Sequence, residues 1–186
     1  MKTFILVYPS FVQYEVILTS LFMKTAGDIV TVGIDGSEVT SHEGFIVNPH
    51  MKLSNINLDD VDLFVIPGGE HVNIYGNPIL TKTLQGLSKK GKVIAAICSG
   101  PVHLAKAGLL DGKRYTSYRM PERKDDFKHA KRVEDNIVVD GNIVTAKAVG
   151  YVDLALELGR IFNIYRDEAD YLETVEVYRN FKDVGD

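Results

Sequence analysis

The stretch 92-KVIAAICSGPVHLAKAG-108 changes its period at Cys98. From Val93 to Ile97 it is apolar without alternation, the pattern of a short strand buried on both faces. Ser99 and Gly100 make a turn. Pro101 then opens a helical run at an early position, where its missing N–H leaves nothing unpaired. Cys98 is the only cysteine in the chain. A free cysteine is most often a small buried hydrophobe. One that ends a strand and precedes a helix has the geometry of a nucleophile elbow. Both readings stay open on this stretch alone.

The same alternation extends outward. "TFILVY" (residues 3–8) reads as a first buried strand, closed by Pro9 and Ser10. "YEVILTSLFMKTAG" (14–27) reads as a helix with Tyr14, Ile17, Leu18, Leu21 and Phe22 at helical spacing and Gly27 near its stop. "DIVTVGI" is a second strand, and the Gly- and Asn-punctuated segment 35–56 a small hairpin excursion. "VDLFVIPGG" (61–69) is a third strand running into a turn, followed by the amphipathic helix "NPILTKTLQGLSKKG" (77–91). Past the elbow, "MPERKDDFKHAKRVEDN" (120–136) is a mixed charge run read as a solvated surface. "IVVDGNIVTA" (137–146) carries a hairpin signal at Asp140-Gly141. Two helices close the chain, and Tyr171, Tyr178 and Phe181 are expected to pack on the sheet or on a second subunit. Strands alternating with helices predict an α/β fold: a three-layer α/β/α sandwich around a mostly parallel, flavodoxin-like sheet, in one domain over residues 1–186. Ligands of such sheets bind at the carboxyl ends of the strands, where both "PGG" and Cys98 fall.

Bulk properties narrow the function classes. The chain has 186 residues, 45% hydrophobic and 25% charged, with a net charge of -4. This composition suits a globular domain, and its acidic balance gives no reason to expect nucleic acid or an anionic membrane as partner. A single cysteine allows no internal disulfide and fits a reducing, cytoplasmic setting. The N-terminal apolar run is too short for a signal peptide, and no run approaches the roughly 20 residues of a membrane helix. No metal-ligand spacing and no phosphate or dinucleotide loop is present, so neither metal nor cofactor is expected.

At an elbow, the following helix N-terminus favours thiolate over thiol, and the Ser99 amide lies beside the sulfur. A second amide, from Gly69, would complete an oxyanion hole. Glycine there allows close backbone approach.

"VIPGGE", "AAICSGP", "LAKAGLLDGKRYTSY" and "NIVTAKAVGYVDLALEL", in that order, resemble the PfpI intracellular-protease and parkinsonism-associated deglycase (ThiJ/PfpI) superfamily, a branch of the class I glutamine-amidotransferase-like fold. The resemblance implies that Cys98 is the elbow cysteine, that Gly69 and Ser99 supply the oxyanion amides, and that Glu15 is the acidic partner of the cysteine. It also implies a homodimer. A Glu15 held within "VQYEVILTSLF" could stay protonated and donate to sulfur. Two departures stand out. Ser99 occupies the place of a histidine in the protease-like members, and Tyr118, in "TSY", that of a histidine in the deglycase-like members. A phenol is a poor base at neutral pH. His71, after "PGGE", is the candidate replacement; His103 is expected to pack or cap, and His42, His50 and His129 to lie in polar loops. Two functions follow. One is an enzyme whose Cys98 attacks a small carbonyl or amide compound. The other is a non-catalytic protein whose Cys98 is oxidised to sulfinate, its partner then being an oxidant.

Overall fold

A computed structural model of the chain describes residues 1–183. Its strands are β1 (Lys2–Val7), β2 (Asp28–Gly33), β3 (Val39–Thr40), β4 (Ile46–Val47), β5 (Met51–Lys52), β6 (Leu63–Ile66), β7 (Val93–Ile97), β8 (Arg114–Tyr115), β9 (Lys131–Arg132), β10 (Ile137–Asp140) and β11 (Ile143–Ala146). Its α-helices are α1 (Tyr14–Ala26), α2 (Pro78–Lys89), α3 (Pro101–Lys106), α4 (Tyr151–Ile161) and α5 (Glu168–Tyr178). The central sheet has the order β10-β11-β7-β6-β1-β2-β5 and is parallel except for the β10–β11 edge. The inner order β2-β1-β6-β7-β11 is flavodoxin-like, so the expected α/β class and mostly parallel sheet hold.

Successive residues of each inner strand feed opposite layers. Phe4, Leu6, Phe64, Ile66, Ile94 and Ala96 pack with Leu80, Leu84 and Leu87 of α2 and Val102 and Leu104 of α3. Ile5, Leu63, Val65, Ala95 and Ile97 pack with Phe22 and Met23 of α1 and Leu154 and Leu158 of α4. Each of the fully buried Val, Leu, Ile, Phe and Met side chains among them stabilises the fold by about 1.5–3 kcal/mol. The local signals agree with this packing. Asn77 caps α2 by accepting from the amides of Ile79 and Leu80 at 3.0 and 3.1 Å, with Pro78 in the first helical turn.

Four expectations need correction. The excursion over 35–56 does contain the β3–β4 hairpin, but it also sends β5 back to the sheet edge beside β2. The helical face predicted for α1 has the right period and the wrong phase. Glu15, Val16, Thr19, Phe22 and Met23 are buried, whereas Tyr14, Ile17 and Leu21 are about half exposed. The charge run is anchored as well as solvated, because Met120 and Phe127 are buried and Phe127 stacks on Tyr115 at 4.7 Å. Among the C-terminal aromatics, Tyr178 packs edge-on against Phe22 of α1 at 5.0 Å rather than on the sheet, and Tyr171 against Tyr165 at 5.2 Å. Phe181 is 83% exposed. Among the described residues, no helix is long and apolar enough to cross a membrane.

Candidate active site

The sheet order reverses at β1: the chain goes from β1 to β2 on one side and from β6 through β7 to β11 on the other. The carboxyl ends of β1, β6 and β7 therefore open onto one crevice. The turn from β1 into α1 brings Glu15 there, the Pro67-Gly68-Gly69 turn follows β6, and Cys98 follows β7.

Cys98 has φ +60°, in the left-handed region that a side chain normally avoids. Such a conformation costs on the order of 1–3 kcal/mol and persists when neighbours over-determine it. Here the Cys98 amide donates to Ala146 of β11 at 2.9 Å, its carbonyl accepts from Tyr118 at 2.7 Å, and Gly100 donates to Ile97 at 2.8 Å. The bent backbone raises the side chain out of the strand, and Cys98 as a residue is half-buried.

Glu15 is 1% exposed. Its Oε2 accepts the Gly68 amide at 2.7 Å. A methyl group on Gly68 would lie 2.8 Å from that oxygen and 2.9 Å from the Cys98 sulfur, so carboxyl and thiol flank the same bare glycine. Burial pushes the Glu15 carboxyl above its ordinary range, against the opposing Gly68 amide and its hydrogen bond with Cys98. Burial and then the adjacent Glu15 charge push the Cys98 thiol up to about 12. The pair therefore behaves as a unit that readily holds one proton and resists losing both. This corrects the expectation of a thiol lowered by the helix terminus. The hydrogen bond from the Ser99 amide does lower the thiol, but burial and Glu15 outweigh it.

Other site residues take different places from those expected. The Gly69 amide is not free: it donates to Ser99 Oγ at 3.1 Å, and the same hydroxyl donates to the Gly69 carbonyl at 3.1 Å. Tyr118 reaches Cys98 only through its main chain, and its ring is exposed beside a cavity of about 360 Å³ lined also by Ser117, Arg119 and Arg132. His71 accepts from Arg123 Nε at 3.4 Å and lies edge-on to Tyr75, whose ring is covered by the Arg123 guanidinium at 3.8 Å. Burial and the Arg123 charge hold His71 below its ordinary pKa. His103 is buried edge-on to Tyr8, with its Nε2 unpartnered and its pKa lowered by burial to about 3. His50 pairs with Thr31 at the sheet edge.

Three residues were not singled out from the sequence. Gly68 sits between carboxyl and sulfur; the "PGG" motif pointed to the turn, and the sequence assigned no role to this first glycine. Tyr8 directly follows β1, its hydroxyl donating to the Gly68 carbonyl at 2.8 Å, and burial followed by Glu15 pushes its phenol far up, so it stays a donor. Glu43, from the β3–β4 turn, caps α1 by accepting from Gln13 and Tyr14, each at 3.0 Å. Burial works to raise Glu43, and the two amides outweigh it, holding the carboxyl below its ordinary value.

A cysteine raised on a strand–helix elbow at the switch point of a flavodoxin-like sheet, with a buried carboxyl beside it, defines a class of α/β protein. The particular family follows from comparison: residues 1–158 match the DJ-1/PfpI family, and the chain belongs to it. A protein from Pyrococcus abyssi named a deglycase is 33% identical over 156 residues, covering 81% of this chain and 92% of the relative. YoaZ of Bacillus subtilis, named an uncharacterized protease, is 30% identical over 148 residues, covering 74% and 67% respectively. The crystal structure of a DJ-1 superfamily protein from Salmonella typhimurium superposes with a TM-score of 0.79 at 27% identity, over 94% of this chain and 96% of that one.

Proposed function

We propose that the protein is a cysteine-dependent enzyme acting on small carbonyl compounds, glyoxalase- or deglycase-like, with Cys98 as nucleophile and Glu15 as its proton partner. The observation that carries this reading is the buried Glu15 carboxyl, bonded to the Gly68 amide at 2.7 Å and facing the thiol across that glycine. A small 1,2-dicarbonyl such as the three-carbon methylglyoxal suits this chemistry. Cys98 sulfur bonds to the aldehyde carbon, the carbonyl electron pair moves to oxygen, and the thiol proton passes through Glu15 to that oxygen. Glu15 then carries the proton from the sulfur-bearing carbon to its neighbour while the hydroxyl proton passes to the neighbouring carbonyl oxygen, turning the hemithioacetal into a thioester. Water cleaves the thioester to lactate and restores the thiol, so the carbon redox change is internal and one water is the only co-reactant consumed.

Amide cleavage fits less well. It needs one group to activate the nucleophile and to protonate a leaving amine, ordinarily an imidazole. His71 is engaged with Arg123, and Ser99 and Tyr118 stand at the two places where the family resemblance implies a histidine. The partial exposure of Cys98 without an imidazole also supports a second reading, in which two equivalents of peroxide convert the thiolate to sulfinate and release two waters. The test is methylglyoxal consumption by the wild type, Cys98→Ala and Glu15→Gln. The enzyme reading expects background rates in Cys98→Ala and a loss of roughly 100-fold or more in Glu15→Gln. Equal rates in wild type and Cys98→Ala overturn it. Sulfinate at Cys98 under dilute peroxide would then support the second reading.

A further inference from the structure

We propose that the Ser99 hydroxyl is an internal occupant of the Gly69 amide, closing the second donor of the anion site until a reactant's negatively charged oxygen displaces it. The inference rests on the reading of Cys98 as the reacting group, but its structural half can be tested separately.

Gly69 is clamped. It pairs with Phe11 in an isolated antiparallel bridge, and a side chain on it would run into the Ser10 carbonyl at 2.2 Å. Its φ is +128°, which suits glycine and holds the amide in one direction. That direction ends on Ser99 Oγ at 3.1 Å. Ser99 is 5% exposed, so bulk water does not compete for the bond. The movable part is the Ser99 side chain, which turns about one torsion.

The energetics of opening favour anions. When the hydroxyl swings away, the Gly69 carbonyl still accepts the His71 amide at 2.7 Å, so no buried acceptor is left bare. What is lost at the amide is one neutral hydrogen bond. An oxyanion replaces it with a charge-assisted bond of roughly twice the strength, whereas a neutral oxygen gains nothing in the exchange. Ser99 is therefore a positioning residue that selects reactants generating an oxyanion beside the sulfur. It gates a donor that glycine at the same turn would otherwise present permanently.

The experiment uses the full chain as wild type, Ser99→Ala and Ser99→Thr. Hydrogen exchange of the Gly69 amide, read by 15N NMR, reports the plug without any chemistry. The expected result is exchange at least about tenfold faster in Ser99→Ala, with protection restored in Ser99→Thr. The second readout is the ratio of two Cys98 modification rates. Iodoacetamide alkylation develops no oxyanion; methylglyoxal addition does. That ratio should shift about tenfold toward methylglyoxal in Ser99→Ala and return in Ser99→Thr. Unchanged Gly69 exchange in Ser99→Ala, or an unchanged or reversed ratio, overturns the proposal. If Cys98 adds methylglyoxal in none of the three proteins, the carbonyl-enzyme reading fails, and amide exchange alone decides the plug.

Discussion

The Gly68 amide donates to Glu15 Oε2 at 2.7 Å, joining the turn after β6 to the first turn of α1 across a sequence separation of 53. The bond gives the carboxyl one fixed partner in a site where burial opposes its charge, with the Cys98 thiol beside the same glycine. Gly68 is thus the hinge of the pair, and the first prediction concerns it.

Gly68→Ala places a methyl group 2.6 Å from Cys98 Cβ and 2.9 Å from its sulfur. The clash is steric, since Gly68 is not in the left-handed region. Separating thiol from carboxyl is expected to lower the rate of methylglyoxal loss roughly 100-fold and to destabilise the fold by about 1–3 kcal/mol. Urea unfolding beside steady-state kinetics checks both; a variant with wild-type kinetics would show that the pair tolerates separation.

Glu15 links stability to pH. Its folded pKa is raised from 4.5, so the folded protein binds the proton more tightly than the unfolded chain. The resulting stability is full below 4.5 and is lost as pH rises through the raised value. Glu15→Gln should flatten this decline, measured as urea midpoints from pH 4 to pH 8. A further comparison isolates the donor: Gln retains an N–H toward sulfur and Leu does not. Cys98 should therefore alkylate at lower pH in Glu15→Gln than in Glu15→Leu.

His103 works in the opposite direction at acid pH. Burial lowers its pKa from 6.5 to about 3, so between those values the unfolded chain takes up a proton that the folded protein refuses. Stability present above 6.5 is lost as pH falls. Replacing it by leucine removes this loss and an unpartnered Nε2. Relative to wild type, His103→Leu should gain on the order of 3 kcal/mol at pH 4 and little at pH 7. An equal change at both pH values would trace the effect to packing.

Phe127 ties the charged segment to the body of the protein through its stack on Tyr115, with interplanar angle 10°. Phe127→Ala is expected to cost about 3–5 kcal/mol and to open residues 119–135 to limited proteolysis. Unfolding midpoints and mapped cleavage sites test it; loss of stability without new cleavage there would mean the segment is held elsewhere.

The layered α/β fold was legible in the chain because buried parallel strands read as unbroken apolar runs. TFILV, LFVI and VIAAI each stand between turn residues and a helical period. The elbow was legible for the same reason: Cys98 falls where one period ends and another begins. The pairing at the site was not. A helix repeat shows spacing but not which arc meets the sheet, and the apolar residues Tyr14, Ile17 and Leu21 pointed to an arc that the fold leaves half exposed. Packing of Val16, Phe22 and Met23 against β1 and α4 turned Glu15 inward instead. The Gly68 amide on the Glu15 carboxyl, and the Ser99 hydroxyl on the Gly69 amide, depend on contacts between residues 53 and 30 positions apart. Such contacts leave no periodic trace in sequence, because they are set by the register of β1, β6 and β7 side by side.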